Sequence, residues 1–170
     1  MFSGHAALSL LGKAARPRVP LFLIAVAAYA PDIVQRVLGY FNQFNRELSH
    51  SMPAIGIGAT IVALVYWAAT GAAADASVLW LAYVSHWFAD YITGIKPTWP
   101  GGPIVGRVMY LHPGRDALLE ADLVLLCWLA YRSTLPADRK NTAITLLIPV
   151  VLIVCQLAFD YSLAPGLPRL

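Results

Sequence analysis

Charged side chains are scarce in this chain of 170 residues. Only 12% of the residues are Asp, Glu, Lys or Arg, and 59% are apolar, whereas a soluble domain carries about 25% charged and 45–50% apolar residues. The apolar excess is gathered into long runs, and the run over residues 51–70 contains no charge at all. This composition excludes an ordinary soluble domain and predicts an integral membrane protein.

The chain also has few cysteines, a small net charge and no long apolar run at its start. The only two cysteines, Cys127 and Cys155, lie in apolar runs without CxxC spacing, so we expect them to be buried apolar side chains. The net charge is only +3, and its basic residues fall in loops, which suits membrane orientation and argues against a nucleic-acid partner. The first apolar run is too short for a signal peptide, so we expect the N-terminus to be retained.

Apolar runs predict an all-α fold: a polytopic membrane bundle with four full spans. A span needs about 20 mainly apolar residues, and the four predicted spans cover residues 51–70, 77–93, 117–134 and 142–162. Two short helices, over residues 3–15 and 19–30, precede them, and we expect the stretch 33–44 to extend the second helix out of the bilayer. The proline- and glycine-rich segment 94–116 predicts a loop that covers a site. We expect residues 1–170 to form a single transmembrane domain.

Threading these helices alternately through a membrane separates two kinds of residue. One side receives short loops that are rich in lysine and arginine, and the positive-inside rule makes that side cytoplasmic. The opposite side receives all four histidines of the chain, together with Asp32, Asp90 and Asp160. This convergence predicts a functional site near the extracytoplasmic surface.

The most informative pair in the sequence is His86 and Asp90. They lie one helical turn apart in the predicted span 77–93, so both side chains share a face. Ionisable residues inside a membrane helix are costly and indicate a functional site, and imidazole with carboxylate is a common ligand pair for a divalent metal. With His5, Asp32 and His50, the set offers three imidazoles and two carboxylates, enough for one metal or two. Zn²⁺ is favoured, and Mn²⁺ and Fe²⁺ are alternatives.

Each candidate also has a purely structural interpretation. His86 and Asp90 alone fit a hydrogen-bonded contact between helices equally well, and Asp32 after Pro31 fits a helix-end carboxylate. The remaining candidates fit surface or interfacial positions, or charges that are solvated or anchored to lipid headgroups. These residues are His5, His50, Arg46, Lys96, Arg107, His112 and Arg115.

Four short motifs together resemble a known family. They are SGHAA at 3–7, PD at 31–32, NRELSHS at 45–51 and SHWFADYITG at 85–94. Their order and spacing are similar to those of the bacterial membrane-bound, metal-dependent hydrolases of the YdjM-like family, which is distantly similar to zinc-dependent phospholipase C and the S1/P1 nucleases. The resemblance implies an inner-membrane protein with helices around a metal site. It implies that the ligands are His5, Asp32, His50, His86 and Asp90.

The chain departs from the family pattern at three positions. Asn45 and Glu47 stand where members commonly have histidine and glycine, and Val34 stands where a second acid often follows the Pro-Asp pair. Fewer ligands weaken the case for a multinuclear site. Glu47 is a further candidate ligand or general base.

The leading hypothesis is a membrane-embedded hydrolase that cleaves a phosphoester of a lipid or of a small membrane-associated molecule. Asp32, Asp90 and Glu47 are then the candidate catalytic groups. Candidate substrate-binding residues, which can hold a phosphate, are Arg46, Arg107, His112 and Arg115. Two alternatives stay open: a non-catalytic membrane protein that binds or transports a metal ion or a lipid, and a structural membrane subunit with internal polar contacts.

Overall fold

The computed structural model describes residues 3–41 and 47–163, and in this part of the chain nearly all regular structure is helical. The helices are α1 Ser3–Ala15, α2 Leu21–Tyr40, α3 Glu47–His50, α4 Met52–Thr70, α5 Ala73–Thr93, α6 Pro113–Ser133, α7 Ala137–Lys140 and α8 Ala143–Leu163. A two-stranded sheet, β1 Lys96–Pro97 and β2 Ile104–Val105, and a 3₁₀ turn, Met109–Leu111, lie between α5 and α6. The predicted all-α fold is confirmed.

Three of the described helices are long and apolar enough to cross a membrane. They are α2, α4 and α8, with spans Leu21–Tyr40, Met52–Thr70 and Ala143–Ser162. The predicted spans 51–70 and 142–162 agree closely with two of these. Helices α5 and α6 are also 21 residues long, but their polar residues leave the expectation of four full spans unconfirmed. Membrane crossing by α5 and α6 therefore stays a prediction.

The second N-terminal helix is continuous. We expected an apolar helix over 19–30 that ends at 31–32, with the stretch 33–44 extending it out of the bilayer, whereas α2 runs unbroken through Pro31 to Tyr40 and is apolar enough over this length to cross a membrane. Residues 42–44 of the predicted extension lie outside the described residues. Proline costs an interior helix one N–H bond, but Pro31 is buried, and packing against neighbouring helices holds the helix on course. The continuation carries Asp32 on a long, regular helix.

The ends of α4 show local determinants that are visible in the sequence. Ser51 is the N-cap, and its hydroxyl accepts a hydrogen bond from the Ala54 backbone N–H at 3.4 Å. Gly71 ends the helix in the left-handed region, with φ of 70°, a conformation that favours glycine. This cap matters for the site because Ser51 directly follows His50 and fixes where the chain turns into α4.

The helices pack so that the N-terminal part of the chain lies inside the bundle. Helix α1 contacts α2, α5 and α6, and α5 also packs against α2 and α4. One apolar cluster joins Ile24 and Ala28 of α2 to Leu79 of α5, all buried. Cys127 is buried as expected, but Cys155 is exposed, because its face of the apolar helix α8 points away from the bundle. Burying α1 brings its first turn to the centre of the molecule.

The segment between α5 and α6 folds back over the end of α5. Its two strands pair antiparallel, with Lys96 opposite Val105, and the Arg107 backbone N–H donates to the Tyr91 carbonyl at 2.8 Å. The Met52 N–H donates to the Thr98 carbonyl, also at 2.8 Å. The predicted loop is present, and the short strand pair in it was not predicted. This fold fixes the position of Lys96 beside α5.

Candidate metal centre

Four side chains from three helices converge at one point. Asp32 comes from α2, His50 from α3, and His86 and Asp90 from α5, and one ligand atom from each lies within 4.8 Å of all the others. We call these four residues the histidine–aspartate cluster. All four were predicted as ligands of one site. The spacing on one helix predicted His86 with Asp90, and the threading of the helices and the motif resemblance added Asp32 and His50.

The atoms that meet in the cluster are those that bind metals. His86 Nε2 lies 3.2 Å from His50 Nε2 and 3.2 Å from Asp90 Oδ2. Asp32 Oδ1 lies 3.2 Å from His50 Nε2 and 3.6 Å from His86 Nε2. Two imidazole nitrogens and two carboxylates turned towards one point form a donor set that suits a divalent cation.

Hydrogen bonds on the outer nitrogens orient the two imidazoles. His86 Nδ1 lies 2.8 Å from the Ala28 carbonyl oxygen. Because a carbonyl oxygen only accepts, His86 Nδ1 carries a proton, and Nε2 faces the cluster. His50 Nδ1 lies 2.7 Å from the Ser49 hydroxyl. Such partners fix the tautomer and the ring plane of metal-binding histidines.

His5 adjoins the cluster from α1. Its Nε2 lies 3.2 Å from Asp90 Oδ1, and its ring stacks on that of His86 with centroids 4.1 Å apart. Burial lowers the pKa of His5 to about 4, and burial also lowers the pKa of His50. Both imidazoles are therefore neutral near pH 7, the form that binds metals. The structure thus brings all five predicted ligands together.

Exposure differs sharply among these residues. The side chains of His50 and His86 are 0% exposed and that of Asp90 is 9% exposed, whereas the Asp32 side chain is 51% exposed. The centre is therefore walled by protein on most sides and opens at Asp32. A small molecule that reaches the cluster meets the Asp32 carboxylate first.

Lys96 is a site residue that the sequence reasoning missed. Its ammonium lies 2.5 Å from Asp90 Oδ2, although we expected a solvated loop charge or a lipid anchor. Asp90 therefore contacts His5, His86 and Lys96 at once. The one available signal was proximity in sequence, because Lys96 lies six residues after Asp90 and just beyond the end of α5.

A second buried polar group surrounds the start of α1. Glu120 of α6 accepts a hydrogen bond from the Gly4 N–H at 2.8 Å, and Gln156 of α8 accepts one from the Ser3 N–H at 2.9 Å. Gln156 also donates to Asp160 at 2.8 Å. With the buried Asp116, we call Asp116, Glu120, Gln156 and Asp160 the carboxyl cluster. Glu120 and Asp160 are both buried.

The other predicted site residues lie outside the histidine–aspartate cluster. Glu47 accepts a hydrogen bond from the Gly101 N–H at 3.1 Å. Arg107, His112 and Arg115 are exposed, and none belongs to the cluster. Arg46 and Asn45 lie outside the described residues. The roles of these residues in substrate binding and catalysis stay predictions.

Comparison with known proteins identifies the family. Neither a curated protein nor a solved structure matches the chain. The family model described as YdjM inner membrane protein matches residues 1–163, which include the five converging residues and the carboxyl cluster. This match together with three apolar helices identifies an integral membrane protein, and the chain belongs to the YdjM inner membrane protein family.

Proposed function

We propose that this protein is a membrane-embedded, metal-dependent hydrolase that acts on a phosphoester of a lipid or of another membrane-associated molecule. The observation that carries the proposal is the convergence of His50, His86, Asp32 and Asp90 within 4.8 Å of one another. The hydrolases that this chain resembles in its motifs use the same residue types. The family membership supports the location in the membrane.

The four residues of the histidine–aspartate cluster would hold the cation, and His5 would complete or extend the ligand set through Asp90. The two imidazole nitrogens of the cluster favour Zn²⁺, and Mn²⁺ and Fe²⁺ accept the same donors. A divalent cation held there lowers the pKa of a nearby water and polarises a phosphoryl oxygen. Those are the two requirements for phosphoester hydrolysis at neutral pH.

Asp32 is the residue best placed to act on the reacting water. It is the half-exposed member of the cluster, with its side chain 51% exposed. A carboxylate in that position orients a water and accepts its proton. Asp90, buried and in contact with His5, His86 and Lys96, instead holds the ligand set in place.

We place the centre on the extracytoplasmic side, near the headgroups of the membrane. The support is the charge pattern of the loops, since short basic loops favour the cytoplasmic side. Asp32 lies just past the middle of α2, nearer to Tyr40 than to the helix end that follows Arg16 and Arg18. A lipid phosphoester at headgroup depth is then the natural substrate.

The test is phosphate or phosphoalcohol release from phospholipids by the purified protein in lipid nanodiscs. A panel of phosphatidic acid, phosphatidylglycerol and phosphatidylethanolamine would be assayed after EDTA treatment and after addition of Zn²⁺ or Mn²⁺. We expect release that requires the metal and falls at least about a hundredfold in Asp32→Asn, since loss of a general base costs about 10²–10⁴ in rate. Tight metal binding without release from any phosphoester would instead support a metal or lipid carrier.

A further inference from the structure

The open side of the centre coincides with a surface groove on α2. The groove has a volume of about 210 Å³ and is lined by Tyr29, Asp32, Ile33, Arg36 and Val37. Their spacing places these five residues on one face of the helix. Because Asp32 belongs to both the groove and the histidine–aspartate cluster, the groove leads directly to the centre.

Tyr29 lies between the groove and His5. Its ring meets the His5 ring edge to face, with centroids 5.3 Å apart. The groove thus runs from the His5 side of the centre, past Asp32, towards the C-terminal end of α2. Its volume admits a phosphoryl group and the first carbons of its substituents, and the remainder of a larger ligand would lie outside.

Arg36 places a cation in this groove. It follows Asp32 by one helical turn, which puts the two Cβ atoms about 6 Å apart. Arg36 is exposed, and the ion pairs of the described residues do not include it. An arginine within a membrane span needs an anionic partner or access to the headgroups. Arg36 lies four residues before the helix end at Tyr40, about 6 Å along the axis, so it reaches headgroup depth.

The rest of the groove is apolar. Ile33 and Val37 flank Arg36 and are 47% and 51% exposed. In α2, a helix apolar enough to cross a membrane, such side chains face lipid tails. A ligand that suits this groove therefore combines an anionic group for the guanidinium with an apolar chain for Ile33 and Val37.

We propose that the groove along α2 is the substrate entrance, and that Arg36 binds the phosphate of a bilayer phospholipid while Ile33 and Val37 contact its acyl chain. This inference rests on the proposed function, because it assigns the substrate class of the same centre. Lateral entry from the membrane places the phosphate between Arg36 and Asp32. Arg36 joins Arg46, Arg107 and Arg115 as a phosphate-binding candidate, and it lines the same groove as Asp32 of the cluster.

The test measures ligand binding and does not depend on turnover. Detergent-solubilised, EDTA-treated protein would be titrated with dihexanoyl phosphatidic acid and, separately, with glycerol 3-phosphate, with binding followed by native mass spectrometry. We expect the lipid to bind at least about tenfold more tightly than glycerol 3-phosphate. Arg36→Gln should weaken lipid binding at least about tenfold, the size of one charge-assisted hydrogen bond. Arg36→Lys keeps the charge but lacks the bidentate guanidinium, so its lipid affinity should lie between those of wild type and Arg36→Gln.

The matched control is Arg18→Gln, an exposed arginine that precedes the opposite end of α2, and it should change lipid binding less than twofold. An unchanged unfolding temperature of Arg36→Gln shows that this variant is folded. Wild-type lipid affinity in Arg36→Gln, or equal affinities for the lipid and glycerol 3-phosphate, would overturn the inference. Lipid cleavage that is insensitive to Arg36→Gln would overturn it while supporting the hydrolase. Arg36-dependent binding without any cleavage would support the entrance and contradict the hydrolase.

Discussion

Two buried polar groups lie in this bundle, and they are built in opposite ways. In the histidine–aspartate cluster, His86 Nε2 lies 3.2 Å from both His50 Nε2 and Asp90 Oδ2, and one member, Asp32, is half exposed. In the carboxyl cluster, Glu120 and Gln156 are fully buried and accept hydrogen bonds from backbone N–H groups of α1. The histidine–aspartate cluster is open to the outside at Asp32, whereas the acceptors of the carboxyl cluster hold helix α1 in place.

The two clusters therefore differ in role: one could bind a ligand, and the other positions a helix. Acceptors that face one another are unfavourable unless a proton or a cation lies between them, and the two imidazoles and two carboxylates of the histidine–aspartate cluster could hold such a cation. Glu120 and Gln156 already have donors from the first turn of α1, which carries His5. The carboxyl cluster therefore supports the metal centre at a distance by fixing where His5 lies.

Among the substitutions considered, removing Asp90 should have the largest effect, and it acts on the histidine–aspartate cluster. Asp90→Ala deletes one ligand and leaves the Lys96 ammonium without the partner that it contacts at 2.5 Å. We expect metal affinity to fall more than about a hundredfold, since loss of even supporting partners costs 10–100-fold. The protein should also lose about 3 kcal/mol of unfolding free energy. Metal titration and thermal unfolding in detergent measure the two effects, and wild-type metal affinity would rule out Asp90 as a ligand.

Removing Glu120 should act mainly on stability. Glu120→Ala leaves the Gly4 N–H without its buried acceptor, which costs about 1–3 kcal/mol of unfolding free energy. Metal should still bind, with an affinity reduced by less than about tenfold. Glu120→Gln is the matched control, because its amide oxygen still accepts from Gly4. If Glu120→Ala abolished metal binding while the unfolding temperature stayed the same, Glu120 would belong to the centre itself.

Lys96→Met should strengthen metal binding. The ammonium lies beside Asp90 in the structure and repels any cation that the same carboxylate holds. At an effective dielectric constant near 20, this repulsion amounts to a few kcal/mol, so we expect metal affinity to rise about tenfold or more. Competition titration with a chromogenic chelator measures this change. Lower affinity in Lys96→Met would mean that Lys96 organises the ligands instead of competing with the metal.

Glu47→Gln should have the smallest effect. Glu47 contacts the Gly101 N–H at an exposed position, and the glutamine oxygen keeps that acceptor, so unfolding free energy should change by less than about 1 kcal/mol. Metal affinity should stay within twofold of wild type. Loss of phospholipid cleavage with metal affinity retained would instead make Glu47 a general base.

Much of the histidine–aspartate cluster was predictable, because its signals are local. His86 and Asp90 share a helix face by spacing alone, and alternate threading placed His5 and His50 on the same side. The carboxyl cluster was not predictable, because its partners are backbone groups more than 100 residues away in sequence. The contact of Lys96 with Asp90 was not predicted for a related reason, because it forms only when the loop after α5 folds back. The continuity of α2 through Pro31 likewise depends on tertiary packing, which outweighs the local effect of proline.

The most direct test of the metal centre is the metal content of the purified protein. The protein would be purified without chelators and its metals measured by elemental mass spectrometry. His86→Ala and His112→Ala form a matched pair, since each removes one histidine, buried in the cluster in the first case and exposed in the second. We predict at least one Zn²⁺, Mn²⁺ or Fe²⁺ per chain in wild type and in His112→Ala, and a near-complete loss in His86→Ala. No bound metal in the wild-type protein, or equal metal content in all three, would contradict the account.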